Sequence, residues 1–476
     1  MNKLIKIFFI IAIITSDVSI LTAQPITWQK NFGGPQDESS RFGIQTFDGD
    51  YVILYLKIGG KGGTYLLDLD QYGVERWNKK IDSLGTGGYI QQTNDEGFIL
   101  CGATSEKGSL VKVDRFGNLI WNKSFHVNNQ NTQFRKVKII DSGDLLICGN
   151  NSFFPEKALV MKLDSLGNVV WQKILNYPDE AEATDITINN DRYIYFAGGI
   201  KVNNYYKTLF AKMNSEGDLL WFNYIGSQGQ GDSQYGNSIV SESNKELFIS
   251  GPYQHFFSTQ AHFTKIDSAG KVIFQNVIPQ TNFSNSMCKT SNGNYAIGGG
   301  QFHLTSDDIL YLLINNKGIV ISRILYNSFG DESDVSSSIV ETSDKGFFIS
   351  GYTTYKPLNL ASNSNLYLIK TDSNGNSPVS INNINSETPY SFKLYQNYPN
   401  PFNPNTKIKF DIIETGIVRI EIHDNCGKKI RTILDEERSK GTYELNFVGS
   451  NLSSGIYFYK MVTKNFIETK KMLLLK

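Results

Sequence analysis

One short motif recurs along the chain: an aspartate, a glycine three residues later and a tryptophan four residues after that. "KVDRFGNLIWNKS" (112–124) and "KLDSLGNVVWQKI" (162–174) share these three residues at the same spacing. The glycine of the motif occurs at seven places, 44 to 57 residues apart: Gly73, Gly117, Gly167, Gly217, Gly270, Gly318 and Gly375. The residue four positions further on is, in the same order, Trp77, Trp121, Trp171, Trp221, Phe274, Ser322 and Val379. A period of this length predicts a repeat architecture in which each copy packs on its neighbours.

Each period contains four short apolar runs separated by turns. In the second copy they are "GYIQQT", "FILCGAT", "SLVKVD" and "LIWNKSF", separated by "DEG" and "RFGN". Four short strands in about 50 residues are typical of a β-propeller blade. We expect the aspartate to cap backbone amides of the second turn, the glycine to supply a positive φ and the tryptophan to fill the wedge between blades. The sequence therefore predicts an all-β fold with a seven-bladed β-propeller over residues 24–375.

The seventh copy predicts how the ring closes. Pro378 stands where its outer strand should begin, and proline cannot donate a ladder hydrogen bond. Trp28, in "ITWQKNFGG", has the sequence of an outer strand without three strands before it. We therefore expect the N-terminal strand to complete the seventh blade, which removes the exposed edges of an open sheet.

The N-terminus is typical of an export signal. Lys3 and Lys6 precede the apolar run "IFFIIAII", and Ala23 offers a small residue for cleavage. Residues 1–23 are therefore predicted to be a signal peptide, and no other stretch is long and apolar enough for a membrane helix. We expect a mature protein outside the cytoplasm, without an integral membrane segment after signal removal.

Charge and cysteine usage narrow the function classes. Residues 18–390 carry 30 basic against 36 acidic residues, which argues against nucleic acid as a partner. Cys101 and Cys148 occupy the same place in successive repeats, where other copies have alanine or serine. That place calls for a small buried side chain, so we expect free cysteines there. The protein is expected to be a monomer.

The repeat pattern ends near residue 376, and the composition of the chain changes there. A polar linker is predicted over residues 376–389, and the alternating runs after it predict a small immunoglobulin-like β-sandwich over 390–476. "YPNPFNP", "DNCGKK", "LSSGIYFY" and a lysine-rich end follow one another there. This order resembles the type A C-terminal sorting domain of the type IX secretion system found in Bacteroidetes. The resemblance implies recognition by that secretion machinery, passage through the periplasm, and release or attachment at the outer cell surface.

The propeller repeats also resemble known families. The Asp–Gly–Trp motif resembles the tryptophan-docking repeat of quinoprotein propellers, in which aspartate and glycine are one residue further apart, and the Asp-box of sialidases, in which they are closer. The runs "FGGPQDES" and "FGDESD" are similar to the bacterial SBBP-type repeats, which imply a fold and no fixed reaction.

Acidic residues in the loops that lead from one blade to the next are the candidate ligand or cation site. The predicted residues are Asp37, Glu38, Asp179, Glu180, Asp331 and Glu332, with Asp232 and Asp334 in the same kind of loop. If they converge, they could bind glycan hydroxyls or calcium; the alternative is that they solvate and cap their loops. His255 and His262 are expected to be solvated. No catalytic residue, cofactor-binding residue or metal ligand is otherwise predicted, and no cofactor is expected.

These observations predict a secreted or surface-displayed propeller that acts as a binding or interaction protein, with a glycan or a protein as its ligand. The alternative is a propeller enzyme, a glycosidase or lyase, that acts on extracellular polysaccharide. An enzyme should bring together two or more buried titratable groups with shifted pKa values, whereas a binding protein should present aromatic and polar side chains without such a pair.

Overall fold

The fold is given by a computed structural model of the chain. It describes residues 26–475 apart from 34–35, 61, 152–154, 176, 178–179, 227–231, 256–257, 303–306, 329–332, 356–362, 378–380, 386–390, 439 and 450–451. The predicted signal peptide, residues 1–23, lies outside the described residues. The described chain is all-β, with a single 3-10 turn at Val127–Asn129.

The first strand is β1 (Trp28–Phe32), and four antiparallel sheets follow it in chain order. Sheet 1 contains β2 (Asp37–Gln45), β3 (Tyr51–Ile58), β4 (Gly63–Leu69) and β5 (Glu75–Lys80). Sheet 2 contains β6 (Thr86–Gln92), β7 (Phe98–Thr104), β8 (Lys107–Val113) and β9 (Leu119–Phe125). Sheet 3 contains β10 (Thr132–Ile139), β11 (Leu145–Asn151), β12 (Lys157–Leu163) and β13 (Val169–Leu175). Sheet 4 contains β14 (Ala181–Ile188), β15 (Ile194–Val202), β16 (Tyr205–Met213) and β17 (Leu219–Ile225).

Three further sheets complete the repetitive part. Sheet 5 contains β18 (Asp232–Gln234), β19 (Ser238–Ser241), β20 (Glu246–His255), β21 (Ser258–Asp267) and β22 (Val272–Ile278). Sheet 6 contains β23 (Phe283–Lys289), β24 (Tyr295–Phe302), β25 (Asp307–Ile314) and β26 (Val320–Tyr326). Sheet 7 contains β27 (Ser333–Glu341), β28 (Phe347–Tyr355) and β29 (Asn363–Thr371), with β1 on its outer edge.

The sheets follow one another in a closed, propeller-like ring. The first strand of every sheet contacts the first strand of the next, and β27 of sheet 7 returns to β2 of sheet 1. Separate apolar clusters fill the wedges between neighbouring sheets, so the core is distributed around the ring. The first strands therefore form the inner wall.

The repeated turn has the predicted geometry. Oδ1 of Asp70 accepts the backbone N–H groups of Tyr72 and Val74 at 2.9 and 2.8 Å. The motif glycines have φ values from +71° to +83°, a region that side chains resist. The same pair of bonds forms at the other motif positions: Asp114, Asp164, Asn214, Asp267, Asn315 and Asp372.

Each motif tryptophan covers the turn of the following sheet. A Cβ added to Gly117 would lie 2.9 Å from Cζ3 of Trp77, and one added to Gly217 would lie 2.8 Å from Cε3 of Trp171. Trp28 covers Gly73 in the same way. At the last turn, where the aromatic is lost, Ile324 and Tyr311 cover Gly375. The motif therefore links neighbouring sheets, in addition to shaping a turn within one.

The closing strand lies where the sequence predicts it. Strand β1 pairs antiparallel with β29, with Trp28 opposite Lys370. Trp28 is only 6% exposed and packs edge-on against Tyr51 of sheet 1 at 5.4 Å between ring centroids. The two ends of the repetitive part thus share one sheet.

The C-terminal part consists of two four-stranded sheets around one apolar core. One sheet contains β30 (Ile381–Asn385), β31 (Lys393–Leu394), β32 (Asn405–Ile412) and β35 (Gly441–Val448). The other contains β33 (Gly416–His423), β34 (Lys429–Arg438), β36 (Gly455–Val462) and β37 (Ile467–Leu474). Residues of both sheets form the core cluster.

Strand β30 lies inside the predicted linker, 376–389, and pairs with β35, because its backbone completes the edge of that sheet. All four cysteines are free, and Cys101 and Cys148 are fully buried as predicted. Among the described residues, no helix has the length and apolar character needed to cross a membrane.

Candidate functional site

The inner wall of the ring carries a row of β-bulges. Pairing between the first and second strands slips by one residue at an equivalent place in six sheets, and in sheet 5 the first strand is interrupted there. We call the residues at this place the bulge layer: Arg41, Gly88, Arg135, Thr184, Asn237, Asn285 and Ser337. A bulge leaves one residue outside the ladder and redirects its side chain. The fold thus places seven redirected positions around the centre.

Four members of the bulge layer tie the sheets together. The Thr184 hydroxyl donates to the carbonyl of Gly236, and the Asn237 amide donates to the carbonyl of Ser284 at 3.0 Å. The Asn285 amide donates to Ser336 at 2.7 Å, and the Ser337 hydroxyl donates to Ser40 at 2.8 Å. Each acceptor is the backbone of the next sheet. The remaining positions, on sheets 1 to 3, are Arg41, Gly88 and Arg135.

One residue further along each first strand, a chain of side-chain contacts crosses five sheets. We call it the girdle. Phe42 packs on Tyr89 at 4.2 Å between ring centroids, Lys136 lies 4.9 Å from the Tyr89 ring, and its Nζ is 2.6 Å from Oδ1 of Asp185. Oδ2 of Asp185 accepts the hydroxyl of Ser238 at 3.0 Å. The girdle joins stacking, cation–π, ionic and hydrogen-bond contacts in one line.

The ion pair in the girdle is largely enclosed. Asp185 is 1% exposed and also accepts the backbone N–H of Ile239 at 2.9 Å. Burial acts to lower the pKa of Lys136, but the attraction of Asp185 and Tyr89 outweighs burial, so the pKa stands above its ordinary value. Lys136 is therefore charged at neutral pH. Removal of one partner would leave the other charge enclosed without compensation, which makes the pair structural.

A second group of polar residues lies where sheets 3, 4 and 5 meet. We call it the mouth cluster: Glu156, Glu180, Glu182, Tyr206 and Tyr235. Oε2 of Glu180 accepts the Tyr206 hydroxyl at 3.2 Å, and the two tyrosine rings lie 4.6 Å apart. All five side chains keep partial access to solvent. The cluster thus combines an aromatic pair with carboxylates.

The carboxylates of the mouth cluster differ in their electrostatic surroundings. Burial, together with the neighbouring Glu182, raises the pKa of Glu156. Glu180 lies 3.3 Å from Nζ of Lys201, and Glu182 lies 3.3 Å from a guanidinium nitrogen of Arg135. Burial raises the pKa of Tyr235 strongly, so its hydroxyl stays protonated and can donate. Glu180 and Glu182, held by cations, and the protonated Tyr235 suit hydroxyl recognition, whereas the raised pKa of Glu156 is the feature that proton transfer would use.

The six predicted acids have different outcomes. Asp179, Asp331 and Glu332 lie outside the described residues. Oδ1 of Asp37 accepts the backbone N–H of Ser364 at 2.8 Å, and Glu38 is buried and lies 3.0 Å from Nζ of Lys57. Of the three acids that the structure describes, Glu180 alone lies in the mouth cluster. Calcium binding by these loops stays a prediction, and each described member already has a protein partner. No group of three or more His, Cys, Asp or Glu side chains with metal-site geometry occurs in the described part of the chain.

Asp232 and Asp334, which the sequence places in the same kind of loop, lie instead on strands β18 and β27 and are buried. Asp232 lies 2.6 Å from Nδ1 of His255, and Asp334 accepts the backbone N–H and the hydroxyl of Ser328 at 2.5 and 2.6 Å. His262, predicted to be solvated, is fully buried, and that prediction is wrong. Its Nε2 lies 2.6 Å from the carbonyl of Tyr235, and burial lowers its pKa to about 4. It faces inward because strand alternation directs it between sheets 4 and 5, where Thr208 contacts it.

Sequence reasoning missed Arg41, Arg135, Glu156, Glu182 and Tyr206. A bulge inverts the inside–outside alternation of a strand, so period-two patterning assigns Arg41 and Arg135, which lie at the bulges of β2 and β10, incorrectly. Glu156 lies in the loop before β12 and Tyr206 lies on β16, and no local pattern places either beside the first strands. Alignment of the first strands on their buried small residues would have placed Arg41 and Arg135 together.

The C-terminal part matches a known family. Residues 396–475 match the secretion system C-terminal sorting domain. This matched segment covers β32 to β37 and nearly all of the C-terminal core. The chain therefore carries the sorting domain of the type IX secretion system, and it is secreted to the cell surface or the extracellular space.

The chain is similar to three solved structures at low sequence identity. A protein of unknown function from Bacteroides caccae is 12% identical, with 64% of this chain and 98% of that one covered and a TM-score of 0.40. A quinoprotein alcohol dehydrogenase-like protein from Bacteroides thetaiotaomicron is 11% identical, with 60% and 66% covered and a TM-score of 0.40. Sqt1 from Chaetomium thermophilum is 10% identical, with 68% and 84% covered and a TM-score of 0.43. No curated protein matches the chain.

Proposed function

We propose that the seven sheets are the blades of a seven-bladed β-propeller, residues 24–375, that binds extracellular glycan as a monomer. A linker, 376–389, then leads to a sorting domain, 390–476, with an immunoglobulin-like sandwich. The first-strand contacts that close the ring, and the pairing of β1 with β29, support the blade assignment.

The aromatic pair of the mouth cluster carries the glycan proposal. The rings of Tyr206 and Tyr235 lie 4.6 Å apart at an angle of 32°, beside Glu180 and Glu182, which are already held by cations. Sugars offer an apolar face for such rings and hydroxyls for such carboxylates. Glu180 and Glu182 are each paired with a cation, Lys201 and Arg135, which favours binding over acid–base hydrolysis.

The test is a glycan array with the full chain, followed by titration of the best ligand. Tyr235→Ala should lower the affinity for that ligand about 10-fold, since an aromatic contact contributes about 0.5–1.5 kcal/mol beyond its buried area. Tyr224→Ala is the matched control, because Tyr224 is an exposed tyrosine on the outer strand β17.

Two outcomes would point elsewhere. Release of reducing or unsaturated ends from a polysaccharide would favour the glycosidase or lyase. Binding of a protein without any glycan, unaffected by Tyr235→Ala, would favour a protein ligand and contradict the glycan proposal.

A further inference from the structure

The bulge layer has polar side chains hydrogen-bonded to the protein backbone on one side of the ring and positively charged side chains on the other. From sheet 4 to sheet 7 its side chains donate to the neighbouring backbone. On sheets 1 and 3 the equivalent positions are Arg41 and Arg135, and both side chains reach solvent. Sheet 2, between them, has Gly88. The two arginines are therefore separated in the layer only by a residue that has no side chain.

Gly88 has a steric reason to lack a side chain. A Cβ there would lie 3.1 Å from the carbonyl oxygen of Phe134 and 3.2 Å from that of Arg135. These distances are tight for any larger residue. The gap between the arginines is thus built into the contact between sheets 2 and 3.

The two arginines repel each other. Burial lowers the pKa of Arg41, Tyr352 acts to raise it, and repulsion by Arg135 acts to lower it. Arg135 lies 3.3 Å from Glu182 and also attracts Glu156, whereas Arg41 has no ion pair among the residues that the structure describes. An anion within reach of both guanidinium groups would relieve this repulsion.

The negatively charged side chains near these arginines belong to the mouth cluster. Glu180 and Glu182 on sheet 4 follow Arg41 and Arg135 around the ring, with the tyrosines beside them. A ligand that fits both has an anionic group at one end and hydroxyls at the other. Guanidinium forks match the planar or tetrahedral oxygens of carboxylates and sulfate esters.

We propose that Arg41 and Arg135 bind the carboxylate or sulfate ester of an acidic glycan whose sugar ring lies on Tyr206 and Tyr235. This rests on the proposed glycan function and names the class of glycan. The arginines set the preference for charge, and the tyrosines bind the ring.

The experiment titrates the full chain with oligogalacturonate, its fully methyl-esterified form and a sulfated heparin oligosaccharide. The ester has the same sugar backbone without the charge, so the difference measures recognition of the anion. We expect oligogalacturonate or the heparin fragment to bind at least about 10-fold more tightly than the ester, with an affinity that falls as salt rises. The two acidic ligands distinguish a carboxylate from a sulfate ester.

Variants locate the site. Arg41→Gln and Arg135→Gln should each lower the affinity for the acidic ligand about 10-fold and leave the affinity for the ester unchanged. Arg41→Lys should have an intermediate affinity, because lysine keeps the charge and loses the two-pronged guanidinium geometry. Arg115→Gln is the matched control, since Arg115 pairs with Asp48 and Glu96 at the turns. Melting temperatures of the variants verify folding.

The outcomes separate the two proposals. Equal binding of acid and ester, or full binding of the acidic ligand by both glutamine variants, overturns the arginine site while the glycan function stands. Binding of no glycan at all overturns both.

Discussion

At the scale of single residues, the motif glycine Gly217 combines two constraints, of which Gly293 meets only one. Gly217 has φ +81°, and its missing Cβ would lie 2.8 Å from the Trp171 ring. Gly293 has φ +81° as well, but nothing lies within 4 Å of a Cβ there. The pair separates backbone conformation from contact between sheets.

We predict that Gly217→Ala destabilises the ring more than Gly293→Ala. A left-handed conformation costs an alanine about 1–2 kcal/mol at either position. At Gly217 overpacking against Trp171 adds about 1–3 kcal/mol, since the ring belongs to another sheet and has little room to move. Denaturant unfolding of both variants measures the difference, and equal losses would show that tryptophan docking does not require a glycine.

Asp334 is a buried acid that couples stability to pH. It has no exposed surface, and burial raises its pKa to about 7 despite hydrogen bonds from Ser328. An unfolded aspartate has a pKa near 3.8. The folded chain therefore binds the proton more tightly than the unfolded chain between these values.

The free energy of unfolding should consequently fall as pH rises from about 4 to about 7, because the native state holds more protons in that window. Asp334→Asn removes this dependence. The free energy of unfolding of the natural chain minus that of the variant should therefore decrease across this pH window, by a few kcal/mol at most for a pKa shift of this size. Unfolding curves at pH 4 to 8 measure it. The exposed Asp82→Asn serves as control, and parallel curves for the natural chain and Asp334→Asn would contradict the prediction.

At the scale of elements, β1 is a short strand with a large role. It provides the outer edge of sheet 7, and its Lys30 donates to the carbonyl of Gly73 in sheet 1 at 2.9 Å. Trp28 also donates from Nε1 to the carbonyl of Gln71 at 3.0 Å. The strand thus joins the last sheet to the first.

Deletion of residues 26–32 should therefore destabilise the whole ring and not only sheet 7. Removal of the buried Trp28 ring alone is expected to cost about 3–5 kcal/mol. Trp121→Ala is the comparison for Trp28→Ala. Trp121 is less buried and lies on β9, away from the closing strand, so its loss should lower the free energy of unfolding by less. A melting temperature that is unchanged by the deletion would show that β1 does not close the fold.

Elements that are determined by residues close together in the sequence could be predicted, whereas elements that depend on strand pairing could not. The Asp114 turn follows from a capping carboxylate and a glycine three residues apart, so the sequence predicts it directly. The bulge at Arg135 depends on how β10 pairs with β11, which no local pattern specifies. The residues around the inner wall were missed for that reason.

The same distinction applies to a recurrent lysine. Lys112, Lys162 and Lys370 each stand two residues before the motif aspartate, visibly in the sequence. Their partners, Asp95, Asp144 and Asp344, lie in the other turn of the same sheet at 2.6, 3.1 and 2.9 Å. The lysine is predictable as a pattern, whereas its role requires knowledge of the strand pairing.

At the scale of the molecule, the chain consists of a ring and a sorting domain with separate cores. The core of the C-terminal part is formed by residues between Leu394 and Leu474. The ring ends near Ser377, whose hydroxyl lies 3.1 and 3.0 Å from the carbonyl oxygens of Trp28 and Lys370. A cut after Ser377 should therefore leave the melting temperature of the ring unchanged.

Residues 376–476 should in turn carry an unrelated periplasmic passenger out of a host that has the type IX system. The matched family segment, 396–475, includes β37, which pairs with β36 along its whole length and supplies Met472 and Leu474 to the core. A tail that lacks β37 leaves an open sheet edge and an unfilled core, so its passenger should stay in the periplasm. Fractionation of both fusions measures the outcome. A passenger with the complete tail that remains periplasmic would show that these residues are insufficient for sorting, and export of the shortened tail would show that recognition does not depend on the folded sandwich.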